Sequence, residues 1–303
     1  MKRTSALCLG TFLISACAWA QNNTVVLKKA WVEKYKDSAT ITATFLVDHA
    51  HKAPNAPAAD GDEHVAGRAQ KDVGLPMVAE IMNAAQPGEA SALSDVHKVE
   101  GQNQEVTITG AWRFWFEHPA KRQVQFAAVP VAANTNPDHS FEIHPITVFD
   151  SNDVSGSLLP VKGFSPHAGA TAFAGYEKAK VTVSGNDSAI SISASKGEFN
   201  YTQFEFTING KPMKLTDGGF AVLADVSGEG DETIASGIRM IFLPNTPPLK
   251  QLLDQNLGAG DKLEVIGIPR VNLNAISKSV QANGGKAITG KLPYEMIIVG
   301  IVQ

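Results

Sequence analysis

Polar and apolar residues alternate with a period of two along most of the chain, which predicts half-buried strands rather than helices. In the first half this alternation covers residues 38–47, 64–68, 76–82, 105–116 and 141–149. In the second half it covers 180–184, 189–194, 203–209, 220–226, 238–243, 262–273 and 294–302. Helical periodicity is confined to 89–99 and 248–257, so the pattern predicts an all-β protein with one or two short helices.

The two halves of the chain resemble each other. Residues 74–81 align with 219–226, 105–110 with 262–267, and 141–144 with 294–297. Each half then has three strands, a helix and two strands, which is the order of an OB-type barrel. We therefore predict two tandem OB-like five-stranded barrels, although a jelly roll or one long sandwich would give a similar pattern.

The length and local composition set the expected domain boundaries. The first barrel is expected within residues 21–150 and the second within 176–303. Residues 151–175 between them are rich in Ser, Gly, Pro and Ala and have no periodicity, which is typical of a linker or a long surface loop.

Residues 1–20 have the pattern of a signal peptide. Lys2 and Arg3 precede an apolar run at 6–16, and small residues follow at 18 and 20. The run is too short to span a bilayer, so we expect cleavage after Ala20 and a periplasmic or secreted protein.

A second interpretation of the same segment is a lipid anchor. The residues at 14–17, Ile-Ser-Ala-Cys, resemble a bacterial lipobox, in which case Cys17 becomes the lipidated terminus. Cleavage after Ala20 would instead remove both cysteines of the sequence, Cys8 and Cys17, and exclude disulfides and thiolate metal sites.

The charge balance is mildly acidic. The chain has 26 basic and 30 acidic residues, a net charge of −4, and it becomes more negative if the basic N-terminal residues are removed. General nucleic-acid binding is therefore not expected. No later apolar run is long enough to form a transmembrane segment. The composition leaves the oligomeric state open.

Candidate chemistry lies in the first 167 residues, which contain all eight histidines. The densest motif is Asp60-Gly61-Asp62-Glu63-His64, followed by Arg68. Its carboxylates suit Ca²⁺ or Mg²⁺, and His64 would also allow Zn²⁺. The alternative is a solvated turn, because Asp-Gly tolerates the left-handed backbone conformation.

A second motif is Glu142-Ile143-His144, in which the spacing of two places the carboxylate and the imidazole on one strand face. Such a pair suits a metal or acid–base chemistry. Glu80 joins the set as a lone acid in an apolar strand. The alternative is a structural hydrogen-bonded pair at the barrel rim.

A third feature is the aromatic strand that contains Trp112, Arg113 and Trp115. Aromatic rings and arginine on a barrel strand can stack a small-molecule or anionic ligand, and Arg68 would assist with the anion. The favoured alternative is a strand buried on both faces, with Arg113 paired to Glu117. No serine elbow, zinc-protease helix, P-loop or dinucleotide fingerprint occurs in the sequence.

These motifs resemble an uncharacterised family of exported bacterial proteins with Asp-Gly-Asp-x-His and Glu-Ile-His-Pro motifs, over residues 38–149. The turn is also similar to that of thermonuclease-like OB barrels, whose Asp-Gly-Asp holds a Ca²⁺ ligand. Position 63 is Glu where the nuclease pattern has Thr, and the arginine-bearing strand of those nucleases is missing. These departures weaken the case for phosphodiester hydrolysis.

The sequence thus favours an exported soluble binding protein with a divalent-metal or anionic-ligand site in the first barrel. The expected metal ligands are Asp60, Asp62, His64, Glu80, Glu142 and His144. The alternatives are a metal-dependent phosphodiesterase and a structural envelope protein.

Overall fold

The computed structural model describes residues 23–118, 122–195, 197–228, 230 and 232–302. The signal peptide and both cysteines lie outside the described residues. The strands are β1 (Asn23–Lys28), β2 (Thr40–Ala50), β3 (Glu63–Arg68), β4 (Met77–Ile81), β5 (Glu105–Phe114), β6 (Gln123–Val124), β7 (Phe141–Phe149), β8 (Asn152–Asp153), β9 (His167–Ala168), β10 (Lys180–Gly185), β11 (Ala189–Ala194), β12 (Thr202–Ile208), β13 (Met213–Lys214), β14 (Phe220–Ser227), β15 (Thr233–Phe242), β16 (Lys262–Val271), β17 (Ile288–Lys291) and β18 (Tyr294–Val302).

The helices are α1 (Lys29–Tyr35), α2 (Ala90–Val99), α3 (Gly169–Lys178), α4 (Pro247–Asp254) and α5 (Leu273–Ala282). The strand-dominated fold class is confirmed, but the described residues contain five short helices where the sequence predicted one or two. A helix of seven to ten residues makes only two or three turns, which leaves little periodicity to detect. None of the helices in the described ranges has the length and apolarity needed to cross a bilayer.

The first barrel is closed by five strands. β2 pairs with β3 and with β5, β3 pairs with β4, and β5 pairs with β7, all antiparallel. The parallel pairing of β4 with β7 completes the ring. Three strands, a helix and two strands in this circular order form the predicted OB topology.

The second barrel repeats this arrangement. β12 pairs with β14 and β16, β14 with β15, and β16 with β18, again antiparallel. β15 and β18 are the parallel pair, and α4 lies between the third and fourth barrel strands. The two tandem five-stranded barrels expected from the sequence are therefore present.

The strand registers show which positions are equivalent in the two barrels. Arg113 lies opposite Glu142, and Arg270 lies opposite Glu295, so Glu142 and Glu295 correspond as the alignment predicted. The alignment of 74–81 with 219–226 is wrong, because the first segment forms the third barrel strand and the second segment forms the second. Both are short apolar strands that follow a glycine and carry one acid, so their sequences alone do not distinguish them.

A third sheet, absent from the sequence prediction, lies beside the barrels in the order β17-β10-β11-β1-β6. Its strands come from the N-terminal segment, from both barrel regions and from the segment that connects them, so only the folded chain assembles it. The expected linker, 151–175, contains β8 and β9 and the start of α3. Part of it packs on the first barrel, where the Asn83 side-chain amide donates to the carbonyls of Ser157 and Leu159 at 2.7 and 2.9 Å.

A reciprocal contact joins the two barrels. Arg113 Nε donates to the Pro269 carbonyl, and Arg270 Nη1 donates to the Trp112 carbonyl, each at 3.0 Å. Trp112 and Pro269 precede the two equivalent arginines, so the contact is nearly symmetric. It fixes the second barrel against the face of the first barrel that carries the candidate site.

Candidate metal centre

The structure brings five of the six predicted metal ligands together: Asp62, His64, Glu80, Glu142 and His144. β3 pairs with β4 so that His64 lies directly opposite Glu80. β4 pairs in parallel with β7, and that register places Glu80 level with His144. Because paired strands lie about 4.8 Å apart, acids and imidazoles on one face of these three strands can share a centre.

His144 is the central group of the cluster and is fully buried. Its Nε2 lies 3.3 Å from Asp62 Oδ2 and 2.9 Å from the Tyr201 hydroxyl. Its Nδ1 lies 3.5 Å from Glu80 Oε2 and 3.4 Å from Glu142 Oε2. Burial opposes the charged imidazole, but the surrounding carboxylates, Glu80 foremost, raise the pKa of His144 well above its usual value.

Glu80 is 4% exposed, and burial raises the pKa of its carboxyl well above the usual value, although His144 partly opposes this shift. Its Oε2 also lies 3.3 Å from His64 Nε2. The His64 ring stacks on His51 with the ring centroids 4.7 Å apart. Burial lowers the pKa of His64, which favours a neutral imidazole at this end of the cluster.

Glu142 is held as a carboxylate by basic neighbours. Burial alone would raise its pKa, but Arg113 and the hydrogen bond from His139 hold it well below the usual value. Arg113 pairs with Glu142 and also contacts Glu117 at 2.7 Å. His139 Nε2 lies 3.2 Å from Glu142 Oε1, and its Nδ1 lies 2.6 Å from the Pro137 carbonyl.

Two groups of side chains in the described residues have metal-binding potential. The ligand atoms of Asp62, Glu80 and His144 lie within 4.8 Å of one another, and all three residues are buried. The ligand atoms of a second group also lie within 4.8 Å of one another, and this group consists of His118, His139 and Glu142. In the first group Asp62 Oδ1 is buried and has no hydrogen-bond partner. A buried carboxylate oxygen without a partner is unfavourable, and a cation would satisfy it.

Asp60, the sixth predicted ligand, lies in the turn beside the cluster. Its Oδ1 accepts from the Asp62 backbone amide at 3.1 Å and from the Asn55 side chain at 2.9 Å. Gly61 has φ +80°, a left-handed conformation that glycine adopts without strain. Asp60 therefore shapes the turn that directs Asp62 into the barrel.

The four residues predicted to bind a ligand are paired with acids or buried against other side chains. Arg68 pairs with Asp48 at 2.8 Å. Arg113 is fully buried within the acids described above, and the Trp112 ring is covered by Arg270, whose guanidinium carbon lies 3.5 Å from the ring centroid. Trp115 is buried and lines a cavity of about 190 Å³.

Three residues of the cluster were not predicted from the sequence: Tyr201, His118 and His139. Tyr201 comes from the second barrel, 139 residues from Asp62, and no local pattern connects the two. His139 precedes Glu142 by three residues, so the cluster of histidines around that motif was a signal for it.

No protein-family model matches the sequence, and no curated protein matches it at a significant level. Function therefore has to follow from the geometry of the site itself.

Proposed function

We propose that this protein is an exported metal-binding protein that holds one ion at Asp62, Glu80 and His144 in its first barrel. The observation that carries the proposal is the buried trio of two carboxylates and an imidazole, with one carboxylate oxygen of Asp62 left without a partner. The proposal that the protein is exported rests on the signal-peptide pattern of residues 1–20.

The neighbours of the trio support a ligand role for His144. Glu142 Oε2 faces His144 Nδ1, so it can accept the Nδ1 proton and leave Nε2 to bind the ion beside Asp62. Arg113 in turn holds Glu142. A carboxylate behind a ligating histidine fixes the ring and makes it a better ligand, so Glu142 is best placed as a supporting residue rather than a ligand.

The donor set favours a transition metal over Ca²⁺ or Mg²⁺. Ca²⁺ takes six to eight oxygen ligands, and Mg²⁺ usually keeps several waters. A buried trio with an imidazole nitrogen fits Zn²⁺ or a similar ion. Full burial of Asp62 and His144 also fits stable binding better than catalysis, since a catalytic ion needs an open coordination position.

The hydrolase alternative has less support from the geometry. A phosphodiesterase needs a cation free to meet phosphate, and the two arginines considered for this role are both engaged. Arg68 pairs with Asp48, and Arg113 is enclosed by Glu117 and Glu142.

Calorimetric titration of the chelator-treated protein with Zn²⁺ tests the proposal. We expect saturable binding of one ion, weakened about 10- to 100-fold by Glu80→Gln, which keeps the shape of the side chain and removes its charge. Glu63→Gln is the matched control, because Glu63 is an equally buried acid on β3 outside the trio. Absence of saturable binding, or Glu80→Gln protein that binds as tightly as the wild type, would refute the proposal. If Glu80→Gln alone prevents folding, the cluster is structural.

A further inference from the structure

The second barrel contributes a residue to this centre. Tyr201 lies immediately before β12, and its hydroxyl donates to Asp62 Oδ2 and lies 2.9 Å from His144 Nε2. The ring is 2% exposed and packs edge-on against Phe164 and His144, with 5.5 Å between the ring centroids in both pairs. Its oxygen therefore touches two of the three proposed ligand atoms from a fixed direction.

The distances match the edges of a coordination shell. Metal–ligand bonds of about 2.1 Å place neighbouring ligand atoms about 3.0 to 3.4 Å apart in octahedral or tetrahedral geometry. The edge from His144 to Tyr201 is 2.9 Å, and the edge from His144 to Asp62 is 3.3 Å. Among the three edges that join Asp62, His144 and Tyr201, only the one between Asp62 and Tyr201 is shorter and has to open when an ion enters.

Tyr201 has little freedom to withdraw from an incoming ion. Its φ of +35° lies in the left-handed region, which a tyrosine adopts only where surrounding contacts enforce it. Its carbonyl accepts from the His167 amide at 2.9 Å, and its own amide contacts the Asn200 side chain at 3.1 Å. An ion bound between Asp62 and His144 would therefore meet the phenol oxygen directly.

We propose that Tyr201 is the fourth ligand and that the resident ion is trivalent iron. This inference rests on the proposed function of the Asp62, Glu80 and His144 trio. When Tyr201 binds as a phenolate, the two carboxylates and the phenolate supply three negative charges and the neutral imidazole supplies none, so a trivalent ion makes this four-ligand shell neutral and a divalent ion does not. Neutrality matters here because an uncompensated charge in a buried site is strongly unfavourable.

The chemistry of the donor atoms also favours ferric iron. Three anionic oxygens form a hard ligand set, which favours a small, highly charged ion over softer divalent ones. A phenol gives up its proton only to a strongly acidic ion, and ferric iron does so near neutral pH. Zn²⁺ can bind the trio and leave Tyr201 protonated.

Phenolate bound to ferric iron absorbs visible light through charge transfer, and neither partner alone produces that band. We expect the chelator-treated protein to acquire the band on titration with ferric nitrilotriacetate. Resonance Raman spectra excited in the band should show tyrosinate vibrations, a measurement that needs no variant.

Tyr201→Phe should abolish the band and weaken ferric binding about 10- to 100-fold while Zn²⁺ affinity stays within about threefold. Tyr176→Phe is the matched control, since Tyr176 is also buried but its hydroxyl contacts Thr202 at 2.9 Å rather than the trio. Zn²⁺ binding without a ferric band, or a band that persists in Tyr201→Phe, would overturn this inference and leave the proposed function intact. Failure to bind either ion would overturn both.

Discussion

Binding of a divalent ion to Asp62, Glu80 and His144 should release one proton at pH 6. Burial opposes the charged His144 imidazole, but the Glu80 and Asp62 carboxylates raise its pKa well above the usual value, so the imidazole carries a proton in the metal-free protein. The ion displaces the His144 Nε2 proton. A charge of +2 thus replaces a charge of +1, and the net charge of the buried cluster rises by one.

The sign and size of the pH dependence follow from this exchange. Metal affinity should rise with pH, because protons compete with the ion for the same atoms. With one proton displaced, the binding constant increases about tenfold per pH unit while His144 remains protonated in the free protein. Glu80→Gln removes the carboxylate that raises the pKa of His144, so the affinity of this variant should stop rising at a lower pH than that of the wild type.

Calorimetry with Zn²⁺ in two buffers of different ionisation enthalpy gives the number of protons released. A value near one for the wild type at pH 6 supports the assignment. A value near zero for the wild type would show either that the ion binds elsewhere or that the metal-free cluster is not protonated as described.

The remaining tests concern stability, measured by urea unfolding. Burial raises the pKa of Glu63 to about 8. The unfolded chain therefore loses this proton at a lower pH than the folded chain does, and the free energy of unfolding of the wild type should fall between about pH 4.5 and 8. Glu63→Gln should reduce this fall, to which buried Glu80 also contributes, and be more stable by about 2 kcal/mol at pH 8; equal pH profiles would contradict it. Arg270→Ala should destabilise by about 3–5 kcal/mol, because it removes the closer of the two guanidinium partners of buried Glu295 and three buried hydrogen bonds to backbone carbonyls; a loss below about 1 kcal/mol would contradict this. Gly110→Ala should destabilise by about 1–3 kcal/mol, since a Cβ there collides with β7, whereas Gly210→Ala, in open space, should change stability by less than about 0.5 kcal/mol.

Strand alternation was sufficient to predict most of the fold, because each barrel strand buries one face and shows the period of two directly. The match of 105–110 to 262–267 corresponds to equivalent positions on β5 and β16. The misaligned pair, 74–81 and 219–226, shows the limit of this reasoning. A short apolar strand carries little information on its place in the ring, since any strand of a small barrel needs the same pattern.

The candidate site was predictable where its residues lie on neighbouring strands. Glu142 and His144 share a strand face, and a hairpin of β3 and β4 brings His64 opposite Glu80. Tyr201 was not predictable, because its contact depends on how two barrels dock, and docking is set by buried side chains distributed along the whole chain. The third sheet was not predictable for a similar reason, because its strands β1 and β11 pair across more than 150 residues of sequence.

The two barrels differ at the positions of the proposed metal ligands. In the second barrel Ile241 and Ile297 occupy the places of Glu80 and His144, according to the registers of the two parallel strand pairs. Glu295 is retained at the place of Glu142.

Two guanidinium groups neutralise this retained acid. Arg239 lies 2.9 Å and Arg270 lies 2.7 Å from its carboxylate oxygens. A cation would find neither a free carboxylate nor an imidazole there, and it would add charge to a pocket that already contains two positive groups. The second barrel should therefore bind no ion of its own. Its contribution to the proposed centre is the phenol of Tyr201, whose hydroxyl contacts Asp62 and His144 of the first barrel.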